Sequence, residues 1–122
     1  MTINSTSIGS VSAVNRLVRF QIIYRRAVFM RKLRQAYGRF IQQYPQWRDG
    51  LFDYHFLTHS AAPLWENYIG NGVWPTTNEL VAVWRTQIGV GQAAIRPEYI
   101  VELKTAVADF LAQLKVSLPA TH

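Results

Sequence analysis

Residues 12–44 read SAVNRLVRFQIIYRRAVFMRKLRQAYGRFIQQY. The stretch holds no proline and one glycine, Gly38, and Pro45 closes it, because the residue before a proline is pushed out of the α region. In its second half Met30, Leu33, Tyr37, Phe40, Ile41 and Tyr44 recur at three- and four-residue steps, the spacing of one helix face. Arg31, Lys32, Arg34 and Arg39 fall off that stripe, toward water. The first half is different. At about 100° per residue, Val14, Leu17, Val18, Phe20, Ile22, Ile23, Tyr24, Ala27, Val28 and Phe29 spread nearly all round, and Arg16, Arg19 and Arg26 gather on a narrow strip. The pattern predicts one helix of about 30 residues, or two joined by a bend near Gly38. A helix that is apolar nearly all round needs cover on most sides. The simpler source of cover is the rest of the same chain; the other is a partner.

Outward from this stretch, the remaining chain also reads as helical. Residues 1–10 are small and polar and read as a flexible tail, leaving a helical domain over 11–118 and a short tail at 119–122. After Pro45 a second helix is expected, carrying Trp47, Leu51, Phe52, Tyr54 and Phe56. Ser60 is placed to cap a third, with Pro63 in its first turn and Leu64, Trp65, Tyr68 and Ile69 inside, and Gly70-Asn71-Gly72 stops it. Thr76-Thr77-Asn78-Glu79 fits a capping box and opens a fourth helix through Leu80, Val81, Val83, Trp84 and Ile88 to Gly89. A fifth starts near Pro97 and runs to Pro119, with Ile100, Leu103, Val107, Phe110, Leu111 and Leu114 as its stripe. Alternation of period two is nowhere sustained. The expected fold is therefore all-α, a small domain of about five helices with a long basic N-terminal helix.

Composition narrows the function classes. The chain has 122 residues, no cysteine and a formal net charge of +6. The absence of thiols excludes a disulfide scaffold, a Cys-ligated zinc site, an iron–sulfur centre and thiol catalysis. The charge is lopsided. Residues 1–48 carry nine cations and no acid, whereas residues 49–122 carry four cations and all seven acids. Eight of the nine N-terminal cations are Arg, the better residue for bidentate contacts and stacking. Such a segment reads as a partner site for an acidic protein, nucleic acid or an anionic membrane surface, or as one end of a dipole satisfied within the fold. An acid-free, Ser- and Arg-bearing N-terminus also has the composition of an organellar transit peptide, but the core-facing apolar pattern continues through it without a cleavage-type break. No apolar run approaches the ~20 residues that span a bilayer, and a cytoplasmic location is expected.

The chemistry-bearing residues form no complete set. His55 and His59 share zinc-ligand spacing, but Phe56 stands where a metalloprotease needs Glu, and no third ligand is evident. Asp49 with Asp53, and Glu98 with Glu102, lie four apart and read as solvated helix faces. Gly70-Asn71-Gly72 and Gly89-Val90-Gly91 lack the strand and the Lys-Ser/Thr ending of a phosphate loop. A helix-turn-helix over residues 76–100 would carry only Arg96 in its recognition region, and the rest of that region is apolar. None of these motifs points to a named family. The chain is expected to be non-enzymatic, to need no metal or cofactor, and to take no small-molecule substrate.

The sequence thus predicts a protein-binding adaptor or assembly factor, with a protein partner or a second copy docking on the N-terminal helix. Arg16, Arg19, Phe20, Ile23, Tyr24, Arg26, Arg31 and Arg34 are the expected contact residues, together with Trp74 as an exposed indole in the loop before Pro75. The alternatives are phosphate contacts to nucleic acid through the arginines, and peripheral binding to an anionic membrane surface. Burial of Phe20, Ile23, Tyr24 and Val28 inside the chain's own fold would count against the first reading.

Overall fold

The first helix, α1, runs unbroken from Thr2 to Gln43 in the computed structural model, which describes residues 2–47, 52–88 and 96–119, with side chains from residue 15 onward except that of Ile88. It starts ten residues before Ser12, where the sequence pattern placed its beginning. Small polar residues and Gly9 lower helix propensity there, but without a proline nothing forbids the helix. It is continuous through Gly38, so there are not two helices here. Pro45–Trp47 then makes a single 3-10 turn. Where one helix is expected after Pro45, the described residues hold α2, Tyr54–Thr58, in which the Asp53 side chain caps the start by accepting from the Phe56 amide at 2.8 Å. Leu51 and Asp49 lie outside the described residues.

The next helix, α3, spans Ala62–Asn71 with Pro63 in its first turn. Its N-cap is Ala61, which offers no side-chain bond. Ser60, the expected cap, instead donates its hydroxyl to Gln87 Oε1 at 2.8 Å, tying this corner to the following helix. The helix stops at Gly72, whose φ of 73° is left-handed and suits a residue without Cβ. Helix α4 spans Thr77–Ile88 and opens with the predicted capping box. The Glu79 amide donates to Thr76 Oγ1 at 3.1 Å, and the Thr76 amide donates to Glu79 Oε1 at 3.0 Å. Replacing Thr76 with Ala should lower the unfolding free energy by about 1 kcal/mol, seen as a lower urea midpoint at unchanged slope. Helix α5 spans Pro97–Ser117, with Pro97 at its first turn.

These five α-helices, with no strand among the described residues, make a small all-α domain. Helix α5 packs on both α4 and α1, and α3 lies along α1. Phe29, Leu33, Ala36 and Phe40 supply the α1 side of the core. Leu103, Val107, Phe110, Leu111 and Leu114 supply the α5 side, as the stripe predicted. Phe40 sits at the centre, with the rings of Tyr44, Phe52 and Phe110 at 5.3, 5.6 and 5.5 Å. Buried Trp65 donates its indole N–H to the Leu57 carbonyl at 2.8 Å and so pins α3 to the end of α2. Near the C-terminal end of α1, Tyr44 donates to Asp109 Oδ2 at 3.1 Å, and the Gln113 amide reaches both Asp109 and Gln43. Asp109 is therefore a clamp between α1 and α5.

Candidate docking surface on the first helix

Only part of α1 is covered by this core. At about 100° per residue, positions nine apart lie on opposite sides of a helix. Phe20 is nine residues before Phe29, and Tyr24 is nine before Leu33. Phe29 and Leu33 are 2% and 0% exposed, so Phe20 and Tyr24 must point away from the core, and they are 67% and 65% exposed. Leu17 and Ile23 are also open, at 58% and 60%. Leu17, Phe20, Tyr24 and Val28 follow one another at three- and four-residue steps, which is a second apolar stripe behind the first. This explains the all-round apolar character of residues 14–29. One face serves the core and the other faces solvent, and among the described residues the chain's own neighbours cover only the former. From Asn15 to Gln21 every side chain is exposed.

The outer stripe runs into a groove of about 750 Å³. Tyr24, Val28 and Lys32 form one wall, and Tyr68 to Gly72, at the end of α3, form the other. Phe29 and Ile69 line its floor, and Leu118 and Pro119 also line it. Arg25 spans the two walls, donating from Nη1 to the Ile69 carbonyl at 3.1 Å. A carbonyl near a helix C-terminus is a favourable site for a guanidinium. Arg31 also lines the groove. None of the lining residues is acidic.

The arginines divide into two groups. Arg26 makes a forked pair with Glu66 of α3, Nε to Oε1 at 2.8 Å and Nη2 to Oε2 at 2.6 Å. It is thereby engaged within the chain, and its side chain stays 43% exposed. Hydrogen bonding to Arg26 holds the Glu66 carboxyl below the usual carboxylate range, and the same bond raises Arg26. Because the folded-state carboxyl is lowered, this pair contributes fully above the usual glutamate range. The contribution is lost as pH falls toward the lowered value. The pair is exposed, so its contribution is small. Glu66→Gln should flatten that acid limb of the stability profile, measured as melting temperature against pH. Arg16, Arg19, Arg31 and Arg34 are exposed, and no acid faces them among the described residues.

Trp74 does not stand free. It is half-buried, with its ring 4.8 Å from Tyr68 in an edge-on contact and 6.2 Å from Trp65. The indole is drawn onto the α3 aromatics because it buries apolar area there, so it buttresses the groove wall from behind. His55 and His59 stack on each other at 4.0 Å. His59 Nδ1 lies 3.1 Å from the His55 carbonyl and 3.0 Å from Thr58 Oγ1. Among the described residues no group of three or more His, Asp or Glu side chains could hold a metal ion. No helix described is long and apolar enough to cross a membrane. The apolar segment after Gly89, weighed above as a recognition region, lies outside the described residues.

Of the expected contact residues, Tyr24 and Arg31 line the groove, and Arg25, Val28 and Lys32 line it without having been expected to. The sequence reading also missed the α3 end and Leu118. The groove forms where α1 meets α3 and the residues after α5, and no local pattern encodes that meeting. Comparison with protein families, with curated proteins and with solved structures finds no match for the chain.

Proposed function

We propose that the chain is a non-enzymatic, cytoplasmic protein-binding module, an adaptor or assembly factor that docks a protein partner on the outer face of α1. The observation that carries this reading is the exposure of Leu17, Phe20, Ile23 and Tyr24 as one connected apolar surface. Large apolar side chains scattered singly over a surface need no explanation, whereas a contiguous patch marks an interaction site. Two of the four are aromatic, and aromatic residues dominate the energy of protein interfaces. Phosphate binding would use Arg16, Arg19, Arg31 and Arg34 but would leave this stripe in water, so nucleic acid is the weaker reading.

The test is site-specific photocrosslinking. A benzophenone side chain at position 20 of the full chain should yield adducts with protein. The same group at Lys104, on the exposed side of α5, should not. Tyr24→Ser should abolish the adduct at position 20 without changing the melting temperature. Equal crosslinking at both positions, or adducts to nucleic acid or lipid alone, would sink the reading. Deleting residues 1–29 is a poor control, because it also removes buried Phe29 from the core.

A further inference from the structure

The outer stripe, the groove and the unpaired cations are adjacent, and together they select among partners. We infer that the docking face receives an acidic amphipathic helix, its apolar residues laid along Leu17, Phe20, Tyr24 and Val28 and its carboxylates set against Arg31 and Lys32. This rests on the protein-docking reading above and names the chemistry of the partner.

Charge complementarity carries the inference. Residues 1–48 contain nine cations and no acid, and the Glu66 carboxylate neutralises Arg26 alone. A second copy laid along the same stripe would bring arginines against arginines, which is destabilising across an interface. An acidic segment meets the opposite sign along its whole length.

Shape separates a peptide from a bilayer. The stripe runs into a recess that Tyr24 and Val28 line together with the end of α3 and Leu118–Pro119. A flat lipid surface reaches the stripe but leaves the recess unfilled, whereas side chains of a bound helix enter it. The floor of Phe29 and Ile69 suits an apolar anchor, and Arg31 and Lys32 line the same recess. Apolar anchors recurring at three- and four-residue steps, with acids between them, match this arrangement.

The experiment titrates the full chain, by fluorescence anisotropy, with two synthetic helical peptides of about six turns. Both carry leucine at the first and fourth position of every heptad. One has glutamate and alanine elsewhere, and the other has lysine and alanine. The acidic peptide should bind and weaken steeply with salt, while the lysine peptide should bind at least tenfold more weakly. Arg31→Glu combined with Lys32→Glu should reverse the preference. Arg31→Gln with Lys32→Gln, a milder pair, should erase it. Lys104→Glu should change neither. Failure of the acidic peptide to bind at low salt overturns the inference, as does a preference that charge reversal leaves unmoved. Equal binding of both peptides that is lost in Phe20→Ser/Tyr24→Ser overturns the acidic partner while protein docking stands. Binding to phosphatidylserine vesicles with neither peptide bound overturns both.

Discussion

Phe40→Ala is expected to lower the unfolding free energy by about 3–5 kcal/mol. Phe40 is 2% exposed and is ringed by Tyr37, Tyr44, Phe52 and Phe110, so it joins α1 to the segment before α2 and to α5. Truncation removes the transfer energy of the ring. It also leaves a cavity whose walls come from three separate elements and cannot collapse together. Domains of this size are stable by roughly 5–15 kcal/mol, so the loss is a large share of the total. The measurement is equilibrium urea unfolding followed by far-ultraviolet circular dichroism. A loss below about 1 kcal/mol would mean that Phe40 is not the centre of the core.

The second large effect is a contrast within one helix. Phe29→Ala should cost about 3–5 kcal/mol, because its ring lies 5.3 Å from Trp65 and 5.8 Å from Tyr68 and holds α1 onto α3. Phe20→Ala, the same chemical change nine positions earlier, should leave stability within about 0.5 kcal/mol. Binding should show the reverse dependence. Phe20→Ala removes an exposed anchor of the docking face and should weaken a partner by at least tenfold, whereas Phe29 contributes only to the groove floor. Parallel loss of stability in both variants would show that the outer stripe is covered by the chain itself and would remove the basis for a docking role.

The helices that sequence made legible are those with strong local signals. Thr76 and Glu79 bond each other as spacing alone predicts, and the Pro97 start and the stripe from Leu103 to Leu114 mark α5 without tertiary information. The segment from Pro45 to Thr58 was not legible. Its aromatics sit at near-helical intervals, yet Trp47 is buried from a 3-10 turn and Phe52 from a bend. Their positions follow from burial against α1 and α5, and tertiary packing overrides local period. Ser60 fails as a cap for a related reason. Its hydroxyl finds Gln87, a residue 27 positions away in sequence. Half of the docking face was visible as surplus apolar character in residues 14–29. The groove beside it was not, since its second wall comes from the end of α3 and from Leu118.

An unbroken rod also fixes phase. Helix α1 is 42 residues long, about 63 Å at the usual rise, and it carries the outer stripe and the inner one with no hinge between them. The angular relation of Tyr24 to the groove is therefore set only by the number of residues separating Tyr24 from Phe29. One alanine inserted in that interval would turn the stripe by about 100° away from the groove, with no side chain removed, and would carry half-buried Ile22 off the edge of the core with it. Four inserted residues would bring it nearly back into line, about 6 Å further out. On the docking proposed above, a partner gripping Leu17 to Tyr24 would be held at one rotational setting relative to the domain, chosen by residue count.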